Sequence, residues 1–349
     1  MSLDIQSLIL AIILDFSVYL MVVISLNIEI GLTGIPNFGR VLAYAGGAFV
    51  AGAIPGRLLA QIYGIKGDYI SLNPIIVGEI NNKLSNEPLL ALSMLIFTLI
   101  LAGLIGAILG YLSSYPALRL REDYLGIMLL VVGTSLVIIG TTYPPIVGGT
   151  VGVQVPALLV TLLGKGPGFY FRVAVVLLSF ALIMLLIFNI ISNSPMGRVF
   201  RAVRENEDLV EVLGRDIGII RGKAMALGGF FAGISGALYV FYIGSVYAPA
   251  FDNLTWSFYP YLMLVLGGAG TSLGSIIGVL VYSSLYHIID IYKQPLANYL
   301  HFDAVWLQYI LFGIIIIIIL IIRPQGIIKE KPRPLIKRPL IEKYIQNNK

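Results

Sequence analysis

The chain has 349 residues, of which 58% are apolar and 12% are charged, and its mean hydropathy is +0.92. A soluble domain does not carry apolar runs of about 20 residues along its whole length, so the composition indicates a polytopic membrane protein. The chain contains no cysteine, which excludes disulfides, thiol nucleophiles and cysteine metal sites.

Eight apolar runs are long enough to be membrane helices. They cover residues 7–27, 41–62, 89–114, 125–143, 171–191, 222–245, 257–290 and 305–322. The first run lacks a basic leader and a small-residue cleavage site, so we interpret it as a retained span and not a signal peptide. We predict an all-α polytopic membrane protein with about 8–10 transmembrane segments, some of them broken or re-entrant.

Residues 31–40, with the sequence GLTGIPNFGR, interrupt the apolar pattern between the first two runs. Glycine disfavours a continuous helix by about 1 kcal/mol per residue and proline by about 3 kcal/mol. Backbone groups released from a helix must face protein or water, because lipid offers them no partner. We therefore predict a non-helical stretch at residues 33–40, where Asn37 offers a donor and an acceptor to a polar solute. An ordinary polar turn is the alternative.

Basic residues predict the orientation of the spans. Arg119 and Arg121 mark the turn after the third run as cytoplasmic, and the polar island at 194–221 is cytoplasmic by the same rule. Residues 144–170 are then outside. No basic residue precedes Arg40, which favours an external N-terminus.

The C-terminal segment, residues 323–349, contains eight Lys or Arg residues and two Glu residues. It therefore carries a net charge of +6, against +5 for the whole chain, and it contains four prolines, which disfavour helix. We predict a basic, proline-rich and partly disordered cytoplasmic tail after a transmembrane domain at 1–322.

Three apolar runs lie between the cytoplasmic island and this tail. An odd number of spans would place the basic tail on the outer side of the membrane. The run at 257–290 resolves the conflict, because its 34 residues exceed an ordinary span and glycines interrupt it. These glycines are Gly267, Gly268, Gly270 and Gly274. We predict a hairpin that enters and leaves the membrane on the outer side. One long tilted helix is the alternative.

The island begins with residues 194–214, SPMGRVFRAVRENEDLVEVLG. Ser194 and Pro195 are typical of an N-cap and a first helical residue, and Gly214 is typical of a helix end. Arginines recur every third residue and share one side of this helix, and apolar residues supply another. The apolar residues are Val199, Phe200, Val203, Leu209, Val210, Val212 and Leu213. We predict a helix at the membrane surface that docks a partner; the alternative is a solvated loop that only obeys the charge rule.

Residues that could do chemistry are few. His287 and His301 flank an outer turn near Asp290 and Asp303, where interfacial histidines are favoured over a metal site. Asp15 and Glu29 lie within or beside the first run, and acids in a membrane are functional candidates. Asp15 either faces a polar interior or lies near the membrane edge. No phosphate-binding loop and no nucleophile–base pair is present, so we expect neither an enzyme nor a metal or other cofactor.

Seven segments, in chain order, resemble the LivM-type permease subunits of branched-chain amino-acid ABC transporters, in the hydrophobic amino-acid uptake family. These segments are 31–52, 119–134, 148–153, 194–214, 230–251, 262–280 and RPQGII at 323–328. The resemblance implies an ABC importer permease fold for about residues 20–328. It also implies import of branched-chain or other hydrophobic amino acids across the plasma membrane. ATP would be hydrolysed on separate subunits.

The resemblance also gives the island a function, because such importers carry a cytoplasmic coupling helix with an acid six residues before a glycine. Here that pair is Asp208 and Gly214. The implied coupling residues are Arg198, Arg201, Arg204, Glu205, Asp208, Glu211 and Gly214. Val210 and Val212 replace smaller residues of the family, which implies an ATPase partner adapted to a bulkier surface.

The translocation path is expected along the broken segments, with residues 33–40 facing the interface between two permeases. The candidate residues are Gly34, Asn37, Phe38, Gly39, Tyr44, Thr134, Gly267, Gly268 and Gly270. The chain departs from the family at several positions there. Pro36 and Asn37 stand in a Gln-x-Ser region, Arg40 replaces a usual His, Gly133–Ser135 replace Phe-Gly-Glu, and Glu29 is unusual. Because relatives in this family also import urea, amides or aromatic acids, the identity of the substrate stays open.

The implied partners are a second homologous permease subunit, two cytoplasmic ATPase subunits and the lipid bilayer, without nucleic acid. An extracytoplasmic substrate-binding protein would dock around residues 144–170 and 246–256. An ATP-independent secondary transporter would show paired acids inside the bundle, for which only Asp15 and Glu29 qualify. A membrane-embedded enzyme lacks the clustered His, Cys or Asp residues it needs. A structural subunit without transport activity stays open.

Overall fold

The structure is a computed structural model that describes residues 5–115, 122–300, 304–322 and 325–330. Helices account for nearly all regular structure in these ranges. In chain order they are α1 Ile5–Leu26, α2 Val41–Ala53, α3 Pro55–Ile62, α4 Asn73–Leu84, α5 Pro88–Ser113, α6 Glu122–Thr142, α7 Pro144–Val147, α8 Leu158–Leu163, α9 Phe169–Asn193, α10 Pro195–Glu205, α11 Glu207–Val212, α12 Ile217–Ile243, α13 Tyr259–Gly267, α14 Ser272–Leu300 and α15 Ala304–Ile322.

Seven helical segments in the described part of the chain are long and apolar enough to cross a membrane. They are Gln6–Leu32, Val41–Ile62, Pro88–Ser113, Tyr124–Thr142, Phe169–Asn193, Ile217–Ile243 and Ser272–Lys293. A shorter apolar helix, Leu254–Gly267, precedes the last of them, and α15 follows it. The predicted all-α polytopic membrane fold is confirmed.

Close glycine contacts hold α12 at the centre of the bundle, against α5 and α2. A Cβ added at Gly106 would overlap the carbonyl oxygen of Gly229, and one added at Gly229 would overlap that of Gly106. A Cβ at Gly47 of α2 would likewise overlap the carbonyl oxygen of Gly233. Such close approach stabilises the bundle, because helices in a membrane associate through van der Waals packing and not through the hydrophobic effect.

One end of the bundle carries a two-stranded antiparallel ribbon, and we call it the strand end. Strand β1, Val153–Gln154, pairs with β2, Ser245–Val246, with Val153 opposite Val246. Helix α4, which the sequence reasoning missed, packs beside the ribbon, since the Gln154 amide donates to Asn73 Oδ1 at 2.7 Å. Tyr69 donates its hydroxyl to the Gln154 carbonyl at 3.1 Å, and burial raises the pKa of this phenol to about 12.

The opposite end carries α10 and α11, and we call it the α10 end. Helices α9 and α12, of 25 and 27 residues, connect it to the strand end. The turn between Gly267 and Ser272 also lies there, because a Cβ added at Gly270 would lie 3.1 Å from Arg204 Nη1 of α10. A hairpin is present as predicted, from α13 through a bend at Gly268 (φ +112°) and Gly270 (φ +82°) into α14. Its entry and exit on the outer side stay a prediction. Gly274, expected to interrupt the run, lies inside α14.

Residues 325–330, the part of the tail that is described, run along this bend at the α10 end. The described start of the tail and the island are therefore at the same end of the bundle, as the charge argument requires. Which side of the membrane this end faces stays a prediction. Arg119, Arg121, His301, Asp303 and residues 331–349 lie outside the described residues.

Candidate functional site

The first membrane helix is broken at the α10 end. After Leu26 the chain forms a π-helical turn, Asn27–Leu32, and residues 34–40 are not helical, as predicted for this stretch. Gly34 adopts φ +76°, a conformation that favours glycine because it has no Cβ. The side-chain amide of Asn27 holds the break on the hairpin bend: its nitrogen donates to the Thr271 carbonyl at 3.0 Å, and its oxygen accepts from the Gly270 amide at 2.8 Å.

A buried ion pair lies inside the broken stretch. Arg40 Nη1 is 2.6 Å from Glu29 Oε1, and the two side chains are 1% and 0% exposed. Asn37 Nδ2 donates to the other oxygen of Glu29 at 2.7 Å. A Cβ added at Gly228 of α12 would overlap Glu29 Oε1, so the pocket around the carboxylate is closed. The two charged departures from the family pattern, Glu29 and Arg40, are thus each other's partners.

This arrangement corrects the expectation for Asn37. Its nitrogen donates to Glu29, and its oxygen accepts from the Gly39 amide at 2.9 Å. The side chain is 2% exposed, so in this conformation both of its polar atoms serve the local fold and not a solute. The sequence reasoning missed Glu29 and Arg40 as a pair, although the signal was present in two opposite charges within one apolar region.

The other path candidates divide into exposed and covered positions. Phe38 is partly exposed; it stacks with Phe258 at a centroid distance of 5.4 Å and contacts the tilted ring of Tyr261 at 4.9 Å. Thr134 is also partly exposed and accepts a hydrogen bond from Asn253 at 2.6 Å. Tyr44 is fully buried against Trp256.

The remaining path candidates are glycines, and all but Gly34 are covered by close contacts. Gly39 packs against the Leu129 carbonyl, and Gly267, Gly268 and Gly270 pack within the hairpin bend and against residues 328–330. Gly34 lines a cavity of about 340 Å³ at the α10 end. A path function for these residues stays a prediction.

The island forms two helices, which corrects the prediction of one helix over 194–214. Ser194 caps α10 as predicted, since its Oγ accepts from the Gly197 amide at 3.2 Å, and Pro195 is the first helical residue. The chain then becomes extended at Asn206, with φ −163° and ψ 102°, and Asn206 Oδ1 caps α11 by accepting from the Leu209 amide at 2.9 Å. Asparagine favours an N-cap over a helix interior for this reason.

Two of the predicted coupling arginines are engaged within the protein. Arg201 donates to Glu330 Oε1 at 3.1 Å, to the Ser192 carbonyl at 2.9 Å and to the Ser192 hydroxyl. Arg204 donates to Glu330 Oε2 at 2.7 Å, to Glu205 at 3.3 Å and to the Gly31 carbonyl. Of the three arginines only Arg198 is exposed, while Arg201 and Arg204 are turned toward the protein. A coupling function for them stays a prediction.

The outward surface of α11 combines apolar and acidic side chains. Leu209, Val212 and Leu213 are 59%, 84% and 73% exposed. The acids Asp208 and Glu211 are exposed beside them. The apolar side predicted for the island is therefore split, since Phe200, Val203 and Val210 are buried. An exposed apolar group on a short charged helix is typical of a surface that binds a partner.

The remaining intramembrane acid, Asp15, pairs with a histidine from a distant part of the sequence. His287 Nε2 of α14 is 2.9 Å from Asp15 Oδ2 of α1. The sequence reasoning had placed His287 near Asp290, one helical turn away, and missed this contact. In the described ranges no group of three or more His, Cys, Asp or Glu residues could hold a metal ion.

Comparison with known proteins agrees with this architecture. The family model described as branched-chain amino acid transport system / permease component matches residues 8–320. The chain belongs to this permease family. It is 40% identical, over 98% of its own length and 99% of the relative's, to a protein of Methanocaldococcus jannaschii called a probable branched-chain amino acid transport permease protein LivM.

Two further relatives, from Salmonella typhimurium and Escherichia coli, are each called a high-affinity branched-chain amino acid transport system permease protein LivM. Each is 26% identical over 92% of this chain and 69% of its own length. No solved structure matches the chain. The protein is therefore a multi-pass membrane permease and a transport subunit, not a catalyst.

Proposed function

We propose that this permease is the membrane subunit of an ABC importer at the plasma membrane, and that ATP hydrolysis on separate cytoplasmic subunits drives transport. The observation that carries the proposal is the surface of α11. Leu209, Val212 and Leu213 are exposed on the segment that joins two membrane-spanning helices. Docking in a groove of an ATPase subunit would bury them, and Asp208 and Glu211 would then lie at the rim.

We further propose that the importer takes up branched-chain or other hydrophobic amino acids, as the names of its relatives state for those proteins. Glu29 and Arg40 were two reasons to expect another substrate. Because they neutralise each other inside the fold, neither charge faces a solute, and this removes an argument for urea or amides. The partly exposed rings of Phe38, Phe258 and Tyr261 offer an apolar surface suited to an aliphatic side chain.

The complete importer in this proposal contains a second homologous permease, two ATPase subunits and an extracytoplasmic binding protein. The binding protein would dock on the strand end, where β1, β2 and α4 come together. The α10 end would face the cytoplasm, consistent with its basic island and the basic tail that follows.

The docking surface is tested with two matched substitutions in the co-expressed importer. Val212→Asp places a charge in the proposed interface, and we expect it to weaken ATPase association at least about tenfold. Val151→Asp is the control, because Val151 is 88% exposed, against 84% for Val212, and lies at the strand end. The readout is ATPase recovered with the purified permease. Equal recovery with both variants would reject α11 as the docking surface.

The substrate class is tested with the same purified importer and its binding protein. Stimulation of ATP hydrolysis is measured over a panel of leucine, isoleucine, valine, phenylalanine and urea. We expect the aliphatic amino acids to give the largest stimulation. Stimulation by urea alone would overturn the substrate proposal and leave the importer proposal intact.

A further inference from the structure

The start of the C-terminal tail forms a strap, which we define as residues Gln325–Glu330. Two backbone hydrogen bonds fix it to the end of α13: the Ile327 amide donates to the Leu266 carbonyl and the Ile328 amide to the Gly267 carbonyl, both at 2.9 Å. Gly326 adopts φ +77°, and a Cβ there would lie 2.6 Å from the Gly268 nitrogen. The strap therefore follows the hairpin bend as one unit with it.

Glu330 at the end of the strap holds two arginines of α10. Its Oε1 accepts from Arg201 Nε at 3.1 Å, and its Oε2 accepts from Arg204 Nη2 at 2.7 Å. The side chains of Arg201, Arg204 and Glu330 are 14%, 23% and 24% exposed. Hydrogen bonds between charged groups that water reaches poorly are stronger than those of an open surface pair. One carboxylate thus ties the island to the hairpin bend.

Arg204 extends the connection to the broken first helix. Its Nη1 donates to the Gly31 carbonyl, one of the backbone oxygens in the π-helical turn. A Cβ at Gly34 would lie 3.0 Å from Arg204 Cγ, so the arginine stem packs directly on the non-helical stretch. The cavity of about 340 Å³ lies beside this contact, and it is lined by Thr33–Pro36 on one side and by the junction of α10 and α11 on the other.

We propose that Glu330 and Arg204 are positioning residues that transmit movement of the coupling segment to the break in α1 and to the hairpin bend. If α10 moves, it must either carry Gly31 and the strap with it or break the charged hydrogen bonds to Glu330. Glu330 is thus a part of the coupling machinery, although the basic charge of the tail suggests only orientation. This inference rests on the proposed importer function and adds the route by which ATPase closure reaches the membrane segments.

The test uses the complete importer in proteoliposomes, with leucine uptake and ATP hydrolysis measured on the same preparation. Glu330→Gln keeps the size of the side chain and removes its charge. We expect uptake per ATP hydrolysed to fall about tenfold while ATP hydrolysis continues. Lys329→Gln is the matched control, because Lys329 is the exposed neighbour on the same strap, and we expect its ratio to equal that of wild type.

Three further variants separate coupling from a structural effect. Arg204→Gln should lower the same ratio. The loss in the double variant with Glu330→Gln should be smaller than the two single losses added as free energies, because both substitutions remove the Arg204–Glu330 hydrogen bond. Glu330→Asp keeps the carboxylate and should restore most of the ratio.

Several outcomes would overturn the inference. A wild-type ratio in both Glu330→Gln and Arg204→Gln would do so, and so would a failure of both to assemble with the ATPase. Uptake by the wild-type importer reports on the proposed function separately, so either proposal can fail alone.

Discussion

The buried pair of Glu29 and Arg40 makes a strong prediction about stability. In Glu29→Gln the Arg40 guanidinium keeps its charge and loses its ionic partner, and its Nε already lacks a hydrogen-bond partner. Removing one member of a buried ion pair destabilises a protein by about 3–5 kcal/mol. The closed space beside Gly228 leaves little room for water to solvate the charge. At about 2 °C per kcal/mol for a large chain, the melting temperature should fall by at least about 6 °C.

The matched variant replaces both charges with apolar side chains of similar length, Glu29→Leu with Arg40→Met. Its melting temperature should lie close to that of wild type, because replacing a whole buried pair is often neutral or stabilising. The measurement is thermal unfolding of the three purified permeases in detergent. A Glu29→Gln variant as stable as wild type would refute the reasoning. So would a double variant as unstable as the single one, since the unpaired charge would then not be the cause.

Two other predictions concern packing and topology. Gly106→Ala should destabilise the permease by about 1–3 kcal/mol, because its Cβ would overlap the Gly229 carbonyl oxygen. Gly78→Ala in α4, with no atom within 4 Å of its Cβ, should be neutral or slightly stabilising; thermal unfolding that ranks these two variants the other way would contradict the packing account. In this cysteine-free chain, an impermeant thiol reagent on intact cells should label Val151→Cys and spare Lys329→Cys. Labelling of the strap from outside would reject the proposed orientation.

Most of the fold could be predicted because apolar run length and glycine position act locally. The hairpin bend followed from a run too long for one span, and the break after α1 followed from glycine and proline in GLTGIPNFGR. Helix α4 was missed because it is short and lies outside the apolar runs. The break at Asn206 was missed because apolar residues recur at helical spacing on both sides of it, as at Val203 and Val210, while the capping preference of one asparagine decides the backbone.

The side-chain partners of the candidate site were harder to predict, because they join residues far apart in sequence. Glu330 lies more than a hundred residues after Arg201 and Arg204, and spacing within α10 gives no sign of it. The arginines therefore looked available to a partner. Asn37 looked available to a solute for a similar reason, since only the three-dimensional structure brings its amide to Glu29.

The central claim is that this permease moves its substrate only when a separate ATPase drives α10 and α11. The most direct measurement is uptake of labelled leucine into proteoliposomes that contain both permeases and the binding protein, with and without the ATPase subunits and ATP. We predict uptake only when the ATPase and ATP are both present. Uptake at the same rate without the ATPase would contradict the claim and identify the protein as a secondary transporter.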